Sequence, residues 1–482
     1  MLLSAMVTMV TAEEPVKTPP PNVIVILGDD VGWGDLGCYG ATKTKTPHLD
    51  ALARDGMRFT DGHASAAVCT PTRYSLLTGR YSWRADAVGL NKGVANGNSP
   101  LLIPAGTATL PAMLKRAGYQ TAVVGKWHLG FGKSTPDYNG KLAPGPLEIG
   151  FDTFFGFPAT NDRMPTVYVR DHGVVGLDPA DPIRCTFDAA TAKREGLSAW
   201  SAGRNRIGWM SGGKAALWND ATIGDTLLSE AVAFIEKHQA KPFFLYFAPH
   251  PVHPPTIPSK RFLGKSGLGN RADMLMDLDA NVGDIMKTLD RLGIAKNTLV
   301  VFSSDNGASP TDEDGHKPNG PWRGKKSQLW EGGHREPFIV RWPGKITPGV
   351  SDALVSLVDL QATAAAAAGV ELSAQEAPDS FNLLPLLLGR DKKEPRDHLV
   401  LMSGMGDLAI REGSWKYIPD LAVADGWGAG KKKAGKPARP GLYDLSKDQG
   451  ETQNLHETKP EVSKRLAARL AKVRSQPATR PQ

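Results

Sequence analysis

Cysteine is scarce in this sequence. Only three cysteines occur in 482 residues, Cys38, Cys69 and Cys185, whereas a disulfide-stabilised scaffold carries many more for its length. The sequence therefore excludes a small disulfide-rich protein. A single bridge between Cys38 and Cys185 stays open, because pairing depends on how close two cysteines lie in the fold.

Long apolar runs and internal repeats are also absent. No apolar stretch reaches the about 20 residues that cross a bilayer, so we expect no membrane span. The mainly apolar residues 2–10 precede small residues and then Glu13 and Glu14, a pattern typical of a secretory signal although a basic start is missing. We expect residues 1–21 to be a signal peptide and lead-in, and the protein to be exported to the periplasm or secreted.

A nucleic-acid signature is missing as well. The formal net charge is +7, but the densest basic cluster, residues 431–436, lies among glycine and alanine without aromatic residues. Nucleic-acid sites usually combine basic patches with aromatic stacking platforms. We therefore expect no nucleic-acid partner, and the positive charge is compatible with an anionic substrate.

The sequence does contain an alternation of strand-like and helix-like segments. Residues 22–27 form a continuous apolar run, which is typical of a parallel strand buried on both faces. Similar runs alternate with amphipathic segments and predict an α/β fold, a large and mostly parallel sheet flanked by helices, over residues 22–375. Residues 376–482 predict a smaller C-terminal α+β subdomain that contains an antiparallel sheet.

Polar residues follow several of the predicted strands at the point where each ends. The carboxyl ends of parallel strands lie at one edge of a sheet, where ligands bind in α/β proteins. We therefore expect these side chains to share a site, although each pair alone also fits an ordinary turn or a hydrogen-bonded surface group. The residues are Asp29 and Asp30, Lys126 and His128, His250 and His253, and Asp305 and Asn306.

A cysteine stands at a predicted helix start. Within residues 69–80, Pro71 favours the first turn of a short helix and Gly79 favours its end. Free backbone N–H groups at such a start favour an anion, and Arg73 adds a positive charge one turn later. A lone cysteine is more often simply buried, so the other motifs decide between these interpretations.

Together, these motifs resemble those of the sulfatase family, the formylglycine-dependent type I enzymes of the alkaline-phosphatase-like superfamily. Cys69, Pro71 and Arg73 stand in the positions of the signature whose cysteine is oxidised to formylglycine, with Thr72 where the family more often has serine. Further motifs match in the family's order. They are residues 125–130, residues 248–254, residues 322–337 and, as a closing segment, residues 442–455.

The resemblance implies a metal site and a set of catalytic residues. Oxygen ligands suit Ca2+, or Mg2+ with more water retained. The implied metal ligands are Asp29, Asp30, Asp305, Asn306 and the modified Cys69. The implied catalytic residues are Cys69, Arg73, Lys126, His128, His253 and Lys326, with Lys325 as the alternative to Lys326 and His250 in a structural role. The implied substrate contacts are Asn161, Asp162 and Arg163.

The resemblance also implies a reaction. The hydrated aldehyde of formylglycine attacks the sulfur of a sulfate ester, His253 with Lys326 protonates the leaving alcohol, and His128 takes a proton as sulfate is expelled. The expected partners are a sulfated carbohydrate or aryl sulfate and the maturation enzyme that generates formylglycine. Residues 157–220, rich in arginine and tryptophan, are expected to shape the substrate pocket.

Two alternatives stay open on the sequence alone. A phosphodiesterase or phosphonate monoester hydrolase on the same scaffold would use the same cations, because they fit phosphate as well as sulfate. A non-catalytic glycan-binding protein would have the same fold with Cys69 unmodified.

Overall fold

The structure is a computed structural model, and it describes residues 19–85, 87, 89–198, 206–310, 312–391, 393–428 and 437–480. Residues 1–18 of the predicted signal peptide and lead-in, Arg204 and the basic cluster 431–436 lie outside these residues. Among the described residues, no helix is both long and apolar enough to cross a bilayer. Cys38 and Cys185 are free thiols, so the bridge that the sequence left open is not formed.

The described parts of the chain contain eighteen strands and nine α-helices. The strands are β1 (Asn22–Gly28), β2 (Met57–Phe59), β3 (Gly62–His63), β4 (Gln120–Lys126), β5 (Thr153–Phe157), β6 (Val169–Arg170), β7 (Gly173–Val174), β8 (Arg184–Thr186), β9 (Trp209–Ser211), β10 (Phe243–Ala248), β11 (Thr298–Ser304), β12 (Phe338–Arg341), β13 (Gly349–Ser351), β14 (Val355–Ser356), β15 (Leu399–Met402), β16 (Leu408–Glu412), β17 (Trp415–Ile418) and β18 (Gly441–Asp444). The helices are α1 (Pro47–Arg54), α2 (Cys69–Thr78), α3 (Leu110–Arg116), α4 (Ala189–Glu195), α5 (Ile223–His238), α6 (Asn270–Arg291), α7 (Leu360–Ala368), α8 (Leu384–Leu387) and α9 (Pro460–Ser475).

Ten strands form one large sheet in the order β13-β2-β12-β11-β1-β10-β4-β5-β6-β7. Its five central strands, from β11 to β5, run parallel, whereas antiparallel pairs occur toward both edges. The sheet is therefore mixed with a parallel centre, and the predicted α/β class is confirmed. The sequence did not predict the antiparallel strands of this sheet, because they are only two to four residues long.

The central strands are buried on both faces. In β1, Val23, Val25 and Leu27 face one hydrophobic core, whereas Ile24 and Ile26 face another, because successive side chains of a strand point to opposite sides. Helices α2, α3 and α7 cover the first face, and α1, α5 and α6 cover the second. The continuous apolar run of β1 is thus explained by burial on both sides.

The C-terminal part forms a separate antiparallel sheet. Strands β15, β16, β17 and β18 pair in chain order, and α9 packs against β16 and β17. The core of this sheet also contains Tyr81, Trp330 and Val358 from the larger part, so the two parts share one hydrophobic cluster. The predicted antiparallel sheet is confirmed, while the boundary between residues 375 and 376 stays a prediction.

Candidate active site

The carboxyl ends of the central strands bring the predicted site residues to one edge of the large sheet. Asp29 and Asp30 follow β1, Asp305 and Asn306 follow the neighbouring β11, and Lys126 is the last residue of β4. The residues that follow the remaining two strands, β10 and β5, are His250, His253, Asn161, Asp162 and Arg163. The parallel centre of the sheet therefore explains why segments far apart in the chain meet here.

Each of the three site carboxylates has its shortest ionic contact with a different buried cation. The shortest contacts are Lys126 Nζ to Asp29 Oδ1 at 2.7 Å, Lys326 Nζ to Asp30 Oδ1 at 2.5 Å and Arg73 Nη2 to Asp305 Oδ2 at 2.7 Å. Positive and negative charges thus balance, which is the condition under which buried ions are tolerated. An added divalent cation would give this set an excess of positive charge, which suits an anionic ligand.

Three oxygen atoms in this cluster fit a metal ion. Asp29 Oδ2, Asp30 Oδ2 and Asn306 Oδ1 are buried and have no hydrogen-bond partner among the described residues. Burying an unpaired polar atom costs free energy, which a cation would offset. Carboxylate oxygens of Asp29 and Asp305 also lie within 4.8 Å of each other and of the Cys69 sulfur. Oxygen donors of this kind are preferred by Ca2+ and Mg2+, so the residues present fit a divalent metal.

The three carboxylates differ in proton affinity. Burial acts to raise the pKa of each, because it disfavours the charged form. Lys326 overcomes this effect for Asp30, and Arg73 does so for Asp305, so the pKa of both carboxyls lies below its usual range. For Asp29, burial outweighs its lysine partner and the pKa is raised. Asp29 is therefore the least compensated of the three, which agrees with a role as a metal ligand.

Cys69 lies beside these groups at the start of α2. Its side chain is buried, and the next residue, Thr70, donates its hydroxyl hydrogen to the His128 carbonyl oxygen at 3.1 Å. Thr72 Oγ1 donates to the Ala66 carbonyl oxygen at 2.9 Å. A serine hydroxyl could make the same bond, so threonine at position 72 preserves the local structure.

Arg73 is fully buried and directs its donors at protein groups. Its Nε and Nη2 donate to Asp305 Oδ2 at 3.0 and 2.7 Å. Its Nη1 donates to the Lys126 carbonyl oxygen and to the Tyr246 hydroxyl, each at 3.2 Å. Arg73 therefore positions Asp305. The contribution of Tyr246 was not predicted, because a tyrosine inside a buried strand gives no signal of a polar role.

His128 has one hydrogen-bonded ring nitrogen and one nitrogen without a partner among the described residues. Its Nε2 lies 2.8 Å from the Ala95 carbonyl oxygen, and this nitrogen must carry the hydrogen because a carbonyl only accepts. Its Nδ1 is buried and has no partner among the described residues. Burial, reinforced by the nearby Lys126, lowers the pKa of His128 well below its usual value. The ring can therefore accept a proton at Nδ1.

Of the two histidines after β10, His253 joins the carboxylate cluster. A ring nitrogen of His253 lies within 4.8 Å of carboxylate oxygens of Asp29 and Asp30. Its Nδ1 lies 2.7 Å from the Pro254 carbonyl oxygen, so Nδ1 donates and Nε2 is left to face a ligand. His250 is buried and belongs to no such cluster within the described ranges, and burial lowers its pKa to about 3.

The two adjacent lysines after β11, Lys325 and Lys326, differ in burial. Lys326 is buried with its amine 2.5 Å from Asp30 Oδ1, whereas Lys325 is exposed. The structure thus brings Lys326, and not its neighbour, to the site.

The three predicted substrate contacts lie beside His253. Asn161 Nδ2 donates to the His253 carbonyl oxygen at 3.1 Å, and Asn161 Oδ1 has no partner in the described part of the chain. Arg163 Nη1 donates to Asp162 Oδ1 at 2.8 Å. Although burial acts in the opposite direction, His253 and Arg163 lower the pKa of Asp162. Asp162 therefore lies close to His253.

Two further residues near the site were not assigned a role from the sequence. Arg206 Nη1 donates to the Asn161 carbonyl oxygen at 2.5 Å, and its Nη2 lies 2.6 Å from Asp220 Oδ1. Glu336 is fully buried, and neither of its carboxylate oxygens has a partner within the described residues. Burial, with Asp305 nearby, raises the pKa of Glu336 well above its usual value. The only sequence signal for Glu336 was its place inside the motif of residues 322–337.

Known proteins resemble this chain over most of its length. The family model described as Sulfatase matches residues 21–370. An N-acetylgalactosamine-6-O-sulfatase of Bacteroides thetaiotaomicron is 43% identical over 489 residues, which cover 94% of this chain and 93% of the relative. Arylsulfatase A of Homo sapiens is 36% identical over 450 residues, which cover 90% of this chain and 83% of the relative.

A solved structure gives the same result for the fold. It comes from work on the metabolism of multiple glycosaminoglycans by Bacteroides thetaiotaomicron and superposes with a TM-score of 0.88 at 43% identity, covering 95% of this chain and 100% of that chain. Sequence and fold thus agree over nearly the whole protein. The chain belongs to the sulfatase family and is a sulfuric ester hydrolase with an alkaline-phosphatase-like fold.

Proposed function

We propose that this sulfatase acts on sulfated carbohydrates and that N-acetylgalactosamine 6-sulfate is the ester it cleaves. The relative that is 43% identical is named for that activity. The observation that carries sulfate-ester cleavage is the cluster of Asp29, Asp30 and Asp305 beside Cys69, in which Asp29 Oδ2 and Asp30 Oδ2 are buried and have no hydrogen-bond partner among the described residues. No contact of the described residues favours a phosphodiester or phosphonate substrate instead.

The proposed cofactors follow from the same cluster. Asp29, Asp30, Asp305 and Asn306 would hold Ca2+, with Mg2+ as the alternative. When bound, the ion would neutralise negative charge on the sulfate oxygens. Oxidation of Cys69 by a formylglycine-generating maturation enzyme would supply an aldehyde, whose hydrate carries the nucleophilic hydroxyl.

The lysines are the proposed sulfate-binding groups. An ammonium group has three donors, and Lys126 uses its donors on Asp29 and Asp305, while Lys326 contacts Asp30. Each lysine can therefore direct a remaining N–H at a sulfate oxygen. Arg73 holds Asp305 in position through two hydrogen bonds to Asp305 Oδ2.

The histidines are the proposed proton carriers. His253 Nε2 would donate a proton to the leaving alcohol oxygen, because its Nδ1 is already committed to the Pro254 carbonyl. His128 would accept a proton at Nδ1, because its Nε2 is committed to the Ala95 carbonyl. The two rings thus have complementary roles, one as acid and one as base.

Release of inorganic sulfate from defined esters tests the proposed substrate. The protein, produced together with a formylglycine-generating enzyme, is offered 6-sulfated N-acetylgalactosamine, its 4-sulfated isomer, 6-sulfated N-acetylglucosamine, an aryl sulfate and an aryl phosphodiester. We expect the highest kcat/KM for 6-sulfated N-acetylgalactosamine. Higher kcat/KM for another sulfated sugar would reject the assigned position or sugar, and for the phosphodiester it would reject the sulfate preference.

Removal of divalent metal is expected to lower kcat by about 100-fold or more, because the sulfate charge is then met by the lysines alone. Dialysis against EDTA, followed by separate addition of Ca2+ and Mg2+, measures the loss and identifies the ion. Ca2+ should also raise the thermal unfolding temperature of the metal-free protein, since it binds only the folded site. Full activity in protein shown to be metal-free by elemental analysis would contradict the proposed site.

The adjacent lysines provide a matched pair of variants. Lys326→Ala is expected to lower kcat/KM by about 100-fold, because a buried cation at the reacting group is lost. Lys325→Ala removes an exposed lysine and is expected to change kcat/KM by less than about twofold. Steady-state kinetics with an aryl sulfate measures both, and equal losses in the two variants would contradict the assignment of Lys326.

We also propose that the protein is exported to the periplasm or secreted. The support is the apolar segment at residues 2–10 with small residues after it. N-terminal sequencing of the protein from the producing cells tests this point. An N-terminus that still begins at Met1 would contradict removal of a signal peptide.

A further inference from the structure

One aromatic side chain is unusually exposed. Trp427 is 50% exposed, and it is the only aromatic residue among the strongly exposed large hydrophobic side chains of the described residues. Met405, which is 39% exposed, directly follows Gly404. Tryptophan normally buries most of its large surface in the core or in an interface. The exposed Trp427 side chain is therefore a candidate ligand contact.

The exposed tryptophan is held in a defined position. Its indole N–H donates to the Gly404 carbonyl oxygen at 3.2 Å, and its backbone N–H donates to Ser327 Oγ at 2.7 Å. The preceding residue, Gly426, has φ 54° and approaches the chain closely, since a Cβ there would lie 2.0 Å from the Ser327 carbonyl oxygen. A ring anchored in this way loses little entropy when a ligand binds.

The hydrogen bond to Ser327 connects Trp427 to the active site. Ser327 directly follows Lys326, whose amine lies 2.5 Å from Asp30 Oδ1. The Ser327 backbone N–H also donates to the Ala67 carbonyl oxygen at 2.6 Å, two residues before Cys69. Trp427 is therefore hydrogen-bonded to the side chain of the residue that follows the proposed sulfate-binding lysine.

A second set of hydrogen bonds also connects Trp427 to the active site. The Gly404 carbonyl oxygen, which accepts the indole N–H, also accepts the Gly93 backbone N–H at 2.9 Å. Two and three residues after Gly93, the Ala95 carbonyl accepts from His128 Nε2 at 2.8 Å, and Asn96 Oδ1 accepts from Arg163 Nε at 2.9 Å. The loop that accepts the indole N–H is thus also hydrogen-bonded to the segment that contacts His128 and Arg163.

We propose that Trp427 forms an outer sugar subsite, on which the ring next to the sulfated sugar packs its C–H face against the exposed indole. The inference rests on the proposed function, because it requires a carbohydrate substrate longer than one sugar. An indole face carries the negative part of the ring quadrupole and attracts the weakly positive C–H groups of a pyranose. Because the indole is uncharged, this subsite would accept a neighbouring sugar whether or not it is sulfated.

Kinetics on substrates of two lengths tests the subsite. Trp427→Ala and Trp427→Phe are compared with the unchanged enzyme on an aryl sulfate and on a chondroitin trisaccharide that ends in N-acetylgalactosamine 6-sulfate. For the trisaccharide we expect Trp427→Ala to raise KM and lower kcat/KM by about tenfold, and Trp427→Phe to retain most of the activity. Turnover of the aryl sulfate, which carries no second sugar ring, should change by less than about twofold.

A control variant and the remaining outcomes decide the inference. Val350→Ala changes an exposed apolar residue on the edge strand β13 and should leave both substrates unaffected. If Trp427→Ala lowers kcat/KM equally for both substrates, Trp427 has a structural role near Lys326 and the subsite is overturned. An unchanged kcat/KM of Trp427→Ala for the trisaccharide would also overturn the subsite. A change in the oligomeric state of this variant in size-exclusion chromatography would do the same. Failure of the proposed function itself would differ, because the unchanged enzyme would then release no sulfate from the trisaccharide.

Discussion

Replacing Cys69 by alanine is expected to reduce multiple turnover by about 10⁴-fold or more, because loss of a covalent nucleophile leaves only the binding contribution to catalysis. Alanine cannot be oxidised to formylglycine, so neither hydroxyl of the aldehyde hydrate can form. Steady-state release of sulfate from an aryl sulfate measures the loss. The fold should survive, because the substitution removes one sulfur atom from a buried helix start and costs on the order of 1 kcal/mol.

Cys69→Ser separates the two functions of the proposed nucleophile. Serine places a hydroxyl at the same position but lacks the second hydroxyl that would expel sulfate, so we expect at most one turnover per enzyme molecule. Mass spectrometry of the tryptic peptide from residues 59–73 provides the matching control, since conversion in the unchanged enzyme removes the thiol sulfur. Sustained turnover by Cys69→Ala, or an active enzyme whose Cys69 is entirely unmodified, would contradict the proposed nucleophile.

The proximity of the proposed metal ligands could be predicted because it follows from the topology of the sheet. In the structure Gly28 of β1 lies opposite Ser304 of β11 in parallel register. Asp29 and Asp305 therefore leave the sheet side by side. A sequence pattern can identify two buried strands and the residues after them, and the parallel rule then places those residues together.

The contacts of Arg73 could not be predicted in the same way. The resemblance implied that Arg73 is a catalytic residue, and that role stays a prediction. In the structure, Arg73 contacts Asp305, which is 232 residues away in the chain, and the Tyr246 hydroxyl. Such contacts depend on how buried side chains cross between elements, and local sequence patterns contain no information about that.

The position of Trp427 is another case in which the sequence was uninformative. Trp427 lies in a stretch with neither strand nor helix periodicity, and the chain separation to its partner Ser327 is 100 residues. The larger part and the C-terminal sheet share a hydrophobic core that includes Trp330 and Tyr443. This shared core brings the two loops together, so the placement of Trp427 follows from tertiary packing.

A buried ionic cluster reinforces the same junction. Glu331 Oε2 accepts from Arg335 Nε and Arg411 Nη1, both at 2.8 Å, and Glu331 Oε1 accepts from Lys416 Nζ at 3.1 Å. Although burial opposes ionisation, Arg411 and Lys416 hold the pKa of Glu331 well below its usual range. The oxygens of Glu331 are therefore occupied by cationic side chains, and the group that it forms with Asp61 and His63 is better explained as a charge network than as a second metal site.

Glu331→Gln is expected to lower the free energy of unfolding by about 3–5 kcal/mol, because it leaves buried cations without their carboxylate. Arg411 and Lys416 lie on β16 and β17, so the loss should weaken the attachment of the C-terminal sheet to the larger part. Equilibrium unfolding in urea, followed by circular dichroism, measures the change. The matched control is Glu461→Gln, since Glu461 is 82% exposed and pairs with an exposed lysine, and its loss should cost less than about 0.5 kcal/mol. Similar values for the two variants would show that the buried network contributes no more to stability than a surface ion pair.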